Sequence, residues 1–385
     1  MDSKHDKNQK GRAWIELNLD NLAHNVKQFQ KLLPKKCALM PAVKANAYGH
    51  GAVQIGLKLA EMGIRDYCVA SASEAVELRR AGIKGQILIL GYTSPCQLHD
   101  LADYQLTQTV VDLAYARVLN DYGQPLCVHV GIDTGMHRLG ERSEDVEKIC
   151  EIWGLENLRI TGVYSHLSAS DGNSEAEIAY TRKQIEEFQA VVETLHRRGI
   201  SGFKTHLQGS YGVLNYPELE FDYARVGIAL YGTLSMPGDK IKADAKLRPV
   251  LSLKARVTCV KVLHENEAAG YGLAFRADRE MRIGVVSIGY ADGIPRELSN
   301  KGYALVNGCR ANVIGRVCMD QLLLDVTGVP KVSAGDEAVF IGRSGEREIL
   351  ACEAAECAGT ISNEILSRLG SRVERVIRLD KSRYE

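Results

Sequence analysis

The chain has no excess of either charge: lysine plus arginine and aspartate plus glutamate each number 48 among 385 residues. Binding to a phosphate backbone needs a basic excess or stripe, so nucleic acid is excluded as a partner. No apolar run is long enough to span a bilayer and no segment is laid out as a signal peptide, so this chain itself makes no membrane contact. The ten cysteines are scattered, several of them inside apolar runs (Cys68, Cys127, Cys259). They read as small core residues in a reducing, cytoplasmic compartment and not as a disulfide framework. No Cys/His cluster has zinc-ligand spacing, and Cys352 and Cys357 fall on an expected helix, so no metal site is expected. The G-x-G-x-x-G that would follow the first strand of a dinucleotide-binding sheet is also missing.

What is present is alternation. Short apolar runs at 67–70, 87–90, 108–111, 126–132 and 160–165 are separated by helical patterns. Ser71 and Glu74 read as a capping box ahead of Val76, Leu78 and Ala81, with Gly82 as the stop. A long amphipathic stretch runs from Ser174 to Arg198. Strand–helix alternation over roughly 220 residues implies a parallel sheet, and a closed (β/α)8 barrel suits that length. After about Met236 the pattern changes to period two, as in Leu251, Leu253, Ala255 and Val257, and Asn307-Gly308 between apolar runs signals a hairpin. A helix is expected from about Ala351 to Leu369. The expected order is a polar tail or linker stub over 1–12, an α/β barrel over 13–240, and a mostly β domain over 241–385.

Val43 to Gly51, read as Val-Lys-Ala-Asn-Ala-Tyr-Gly-His-Gly, is the most informative stretch. It sets Lys44 at the end of a buried run (Leu39, Met40, Ala42, Val43), ahead of a glycine-punctuated loop that opens a helix. A lysine at the carboxyl end of a barrel strand points to where such folds place their chemistry, and desolvation there lowers the amine's affinity for its proton.

This nonapeptide resembles the cofactor-lysine signature of the alanine racemase family, whose members carry pyridoxal 5'-phosphate on that lysine. The resemblance extends from Trp14 to about Leu379. It implies a two-base racemase: a Cα proton leaves from one face and returns on the other, with Lys44 as one base and Tyr271, in Gly270-Tyr271-Gly272, as the other. In the family that tyrosine comes from the second subunit, so a homodimer with shared active sites is implied. Tyr48, Ser210, Gly227 and Ile228 match phosphate contacts, and His166 matches a histidine near the cofactor ring. Arg225 matches the arginine that faces the pyridine nitrogen; it only donates, so that nitrogen must accept. Arg138, Met319, Asp320 and Tyr290 match the substrate side and its entrance.

Two positions depart from the family pattern. Many relatives carry a carbamylated lysine seven residues ahead of the arginine matched by Arg138; here that position is Gly131. Where alanine racemases carry a tyrosine toward the phosphate and the substrate methyl, this chain has Asn363. An amide offers a donor and an acceptor where the ring offered bulk, which implies serine as a substrate beside alanine. This places the chain nearest the serine/alanine racemases of vancomycin-resistance type, cytoplasmic parts of membrane proteins that supply D-amino acids for peptidoglycan precursors. The alternatives are a pyridoxal-phosphate decarboxylase on the related fold, against which Arg225 speaks, and a non-catalytic pyridoxal-phosphate protein, against which the β domain speaks.

Overall fold

From Ala38 to Ala224 the chain delivers eight strands that pair side by side: β1 (Ala38–Leu39), β2 (Asp66–Val69), β3 (Gln86–Ile89), β4 (Thr107–Val110), β5 (Leu126–Asp133), β6 (Leu158–Tyr164), β7 (Lys204–His206) and β8 (Tyr223–Ala224). The structure is a computed structural model and describes residues 11–378; the expected tail over 1–12 lies, apart from Gly11 and Arg12, outside the described residues. The sheet runs β1-β8-β7-β6-β5-β4-β3-β2, and a parallel bridge between Ala42 and Cys68 joins its two ends. All these pairings are parallel. The expected barrel is thus present, nearly closed.

The strands are short and buried on both faces, as Gln86–Ile89 and Asp66–Val69 show, which is why they read as apolar runs without alternation. β1 is interrupted by Pro41, which has no N–H to give, yet its ladder continues beyond Leu39. Met40 N donates to Ala224 O at 2.9 Å and Ala42 N to Val226 O at 2.8 Å. Helices Ala52–Glu61, Ala72–Arg80, Leu113–Asp121 and Glu175–Arg197 each lie between consecutive strands of this sheet. The last is capped by Ser174, which accepts from Glu177 N while the Glu177 carboxylate accepts from Ser174 N.

The described residues divide into two compact units, one of 23–230 and 239–247, the other of 11–22, 231–238 and 248–378. The second unit is mostly β. Its nine-stranded sheet includes Leu251–Leu263, which pairs with both Met281–Val286 and Glu337–Ser344 and so closes the intervening strands on themselves. The Asn307-Gly308 hairpin joins Tyr303–Val306 to Cys309–Ile314, with φ of 48° and 75° at its two turn residues.

Two expectations need correction. Ala13–Leu17, assigned with the barrel, pairs antiparallel with Leu251–Leu263 and parallel with Glu374–Ile377. All five of its residues are buried, so it needs a neighbour on each side, and it finds both in the β unit. The single helix expected from Ala351 to Leu369 is two, Ala351–Ala358 and Ser362–Ser367. Gly359 ends the first in the left-handed region at φ 74°. Among the described residues, no helix is long and apolar enough to cross a membrane.

Candidate active site

The barrel's chemistry-bearing side chains lie just past the carboxyl ends of its strands. Lys44, half-buried, follows β1 and starts a turn that sequence reasoning did not anticipate: Ala45, Asn46, Ala47 and Tyr48 have φ between 50° and 53°. Four successive non-glycine residues wind left-handed, a conformation costing roughly 1–2 kcal/mol each. Tertiary bonds hold them there. The Glu74 carboxylate accepts from Ala45 N at 2.6 Å and from Ala70 N at 2.7 Å. Asn46 Oδ1 accepts from Ala52 N at 2.7 Å, and His50 Nδ1 lies 3.0 Å from Ala47 O and 2.8 Å from Tyr48 O. Half of the expected capping box survives, since Ser71 Oγ accepts from Glu74 N at 3.4 Å. Its other half is diverted, because the Glu74 side chain serves the lysine turn instead.

Opposite this turn, Arg225 and Gly227 follow the end of β8. A Cβ built on Gly227 would lie 2.6 Å from the Tyr48 hydroxyl, so only glycine lets the phenol approach that backbone. Burial pushes the Tyr48 hydroxyl's pKa well up, so it stays protonated and able to donate. Ser210 Oγ accepts from Gly227 N at 3.0 Å and from Ala229 N at 3.2 Å, and Ile228 opens the short helical turn Ile228–Tyr231. A tyrosine hydroxyl, a serine hydroxyl and the amides of one turn therefore converge. Arrangements of this kind bind phosphate.

Arg225 is buried. Its guanidinium donates to Ser165 O at 2.7 Å and Leu207 O at 3.1 Å, and lies 2.6 Å from His206 Nδ1 and 3.2 Å from His166 Nδ1. Because arginine has no acceptor, both imidazole nitrogens must accept. The guanidinium also sits over the Tyr164 ring at 4.8 Å. Burial, followed by the charges of Arg225, Arg138 and Lys44, holds His166 down at about 3, so it is neutral at ordinary pH. The barrel therefore brings Lys44, Arg138 and Arg225 within electrostatic reach of His166.

Arg138 is exposed in the loop after β5, where Asp133 accepts from Gly135 N at 3.0 Å and His137 N at 2.9 Å. A Cβ on Gly131 would sit 3.2 Å from Val110 O and 3.4 Å from Gly140 Cα, so the loop has closed onto the strand at this glycine.

In the β unit, Tyr271 is 71% exposed on a single turn, Tyr271–Leu273, beside Leu273 at 69%. Gly272 has φ 67°, and a Cβ there would meet the Arg316 guanidinium at 2.9 Å. Arg316, which sequence reasoning missed, thus lies against the backbone of the turn that carries Tyr271. Tyr290 N donates to Cys318 O and Ala291 N to Met319 O, both at 3.0 Å, zipping the segment that starts at Tyr290 to the Cys318-Met319 segment. Buried Asp292 anchors this pair: Arg12 binds it at 2.5 Å and Arg372 lies 3.4 Å away, with Arg372 also donating to Asp320 at 2.6 Å. Asn363 Oδ1 accepts from Ser235 Oγ at 2.8 Å.

Comparison with known proteins adds the following. The family profile described as alanine racemase, N-terminal domain, matches residues 17–235, and that described as alanine racemase, C-terminal domain, matches 250–377. An amino-acid racemase of Enterococcus faecalis is 42% identical over 363 residues, 94% of this chain and 51% of that protein. A serine/alanine racemase of Enterococcus gallinarum is 40% identical over 365 residues, again 94% of this chain and 51% of that protein. The chain spans about half the length of these two relatives. The crystal structure of the alanine racemase from Bacillus anthracis with bound L-Ala-P matches with a TM-score of 0.89 at 32% identity, covering 96% of this chain and 95% of that one.

Proposed function

The chain belongs to the alanine racemase family, and on that premise we propose that it interconverts the L and D forms of alanine and serine with pyridoxal 5'-phosphate as cofactor. The observation that carries this reading is the cradle formed by Tyr48, Ser210 and the Gly227 turn, set beside the donor-only Arg225 and the lysine that opens a clamped turn. These residues fit the cofactor. Tyr48, Ser210 and the amides of Gly227 and Ile228 would hold the phosphate, while Lys44 would hold the aldehyde carbon and His166 would lie near the ring. Arg225 would meet the ring nitrogen and keep a proton off it.

When bound, the cofactor supplies an electron sink for the pair left behind as the Cα–H bond breaks. The protein's own work is proton handling and positioning. Lys44 takes or returns the proton on one face, and the partner's Tyr271 does the same on the other, so neither has to cross the substrate plane. The Met319 backbone and Arg138 orient the substrate carboxylate, Asp320 holds the Met319 segment, and Tyr290 narrows the entrance. In functional terms the unit of 23–230 and 239–247 is the cofactor-binding part, and the β unit is the part that carries the second base. A homodimer follows from this division of labour. The reaction is read as cytoplasmic, yielding D-amino acids for peptidoglycan precursors.

Serine is included because of Asn363. With its oxygen engaged by Ser235, its amide nitrogen is the end that donates to a substrate hydroxyl. A merely larger apolar pocket would discriminate weakly, on the order of a hundredfold at most, whereas a bonded hydroxyl favours serine positively. Racemisation of L-serine and L-alanine side by side, with Asn363→Tyr for comparison, tests this. Losing one hydrogen bond lowers the serine-to-alanine ratio of kcat/KM by roughly tenfold. An unchanged ratio would remove serine from the assignment.

A further inference from the structure

Barrels of this kind fill their interior with branched apolar side chains, yet here the axis beneath Arg225 is polar. His129 on β5 and His206 on β7 are fully buried, and Tyr164 on β6 stacks on His206 at 4.8 Å with 5° between the ring planes. Room has been made for this. A Cβ on Gly162 would lie 2.6 Å from the His129 ring, so that glycine seats the imidazole. The contacts form one line: Arg225 to His206 Nδ1 at 2.6 Å, His206 Nε2 to His129 Nδ1 at 2.8 Å, and His129 Nε2 to the Gln86 amide at 2.7 Å.

We propose that His129 and Gln86 are positioning residues for Arg225, the far links of a one-way hydrogen-bond chain through the barrel in which both imidazoles are locked as their Nε2–H forms. The direction follows from donor counting. Arginine only donates, so His206 Nδ1 accepts and its proton sits on Nε2. That proton faces His129 Nδ1, which must accept, so the His129 proton also sits on Nε2. The chain ends by donating to Gln86, whose amide therefore turns its oxygen to His129; oxygen and nitrogen occupy equivalent places in such a group. With the oxygen so turned, the Thr107 hydroxyl at 3.4 Å becomes its second donor.

Both histidines remain neutral, His129 at about 3 and His206 well below its ordinary value, through burial and then the charge of Arg225. A neutral chain carries direction and not charge. Reversing any link would set two donors face to face, ultimately at the 2.6 Å contact with Arg225, so the links constrain one another and together hold the guanidinium.

The consequence for catalysis rests on the racemase reading, since a loosened Arg225 would guard the ring nitrogen less well and allow more transamination. The chain itself does not rest on that reading. In protein labelled with nitrogen-15 at histidine, without cofactor and with it, long-range proton–nitrogen spectra should show His129 and His206 as Nε2–H from about pH 5 to 8, without titration. An Nδ1–H form of either, or titration of either in that range, would overturn the chain even in an active racemase. In Gln86→Leu the His129 Nε2–H loses its acceptor, so its exchange with solvent accelerates roughly tenfold and transamination per racemisation event rises by a similar factor. Gln86→Glu keeps the acceptor and restores both. If Gln86→Leu changes neither, the positioning role is refuted. If the spectra hold but no amino acid is racemised, the functional assignment fails and the chain stands.

Discussion

Glu74 belongs to no expected catalytic set, yet the lysine turn depends on it. Four left-handed residues store roughly 4–8 kcal/mol relative to a right-handed turn. Against this, the Glu74 carboxylate makes two bonds to backbone amides, at 2.6 and 2.7 Å. Each such bond to a charged group contributes about 1.5–3 kcal/mol when buried and less here, because Glu74 is partly exposed. Glu74→Ala removes both, and the stored strain then favours relaxation of residues 45–48. That movement would carry Tyr48 away from Gly227. We expect cofactor affinity, read by absorbance titration, to fall about tenfold to a hundredfold, the equivalent of roughly 1.4–2.8 kcal/mol. Unfolding free energy should fall by less than the two bonds imply, since strain is released. Glu74→Gln should be intermediate, keeping one acceptor but setting an amide NH2 against the other N–H. Unchanged affinity in Glu74→Ala would refute the idea that this carboxylate holds the turn.

Other expectations follow from the same geometry. Gly227→Ala places a methyl 2.6 Å from the Tyr48 hydroxyl, so the tyrosine must withdraw. Cofactor retention in gel filtration should be lost, at a stability cost of about 1–3 kcal/mol, and full retention would contradict the cradle. Acid should destabilise the barrel through its histidines. His129 and His166 titrate at about 3 when folded but near 6.5 when unfolded, so below pH 6.5 the unfolded chain binds the extra protons. Each histidine then removes up to about 1.4 kcal/mol of stability per pH unit as the pH falls toward 3. Urea midpoints that stay flat from pH 6.5 to about 4.5 would show that these imidazoles are not buried neutral.

Much of this was legible in the sequence, for identifiable reasons. Two-sided burial makes barrel strands read as bare apolar runs, and Asn307-Gly308 needs only its own two φ values to form a hairpin. Lys44 could be placed because strand ends are local features. What stayed hidden depends on distant partners. The left-handed turn at Ala45–Tyr48 is imposed by a carboxylate 29 residues away, and alanine and tyrosine carry no signal for it. Ala13–Leu17 announces a buried strand but not which sheet will take it. His129, flanked by Val128 and Val130, reads as one more core residue, and only Gly162 on the neighbouring strand reveals that space was made for its ring. Arg316 was invisible for the same reason: nothing nearby in sequence relates it to Gly272.

The central claim is that an amine and a phenol from different protomers act on opposite faces of one substrate. Mixing Lys44→Ala protein with Tyr271→Phe protein tests it most directly, because a hybrid dimer holds one site in which both groups are intact. Each variant alone should be nearly inactive in L-alanine racemisation, and the equilibrated mixture should recover about a quarter of unaltered activity, since half the dimers are hybrids with one working site each. Recovery of nothing, with subunit exchange verified by mass spectrometry, would contradict the account, as would near-normal racemisation by Tyr271→Phe alone.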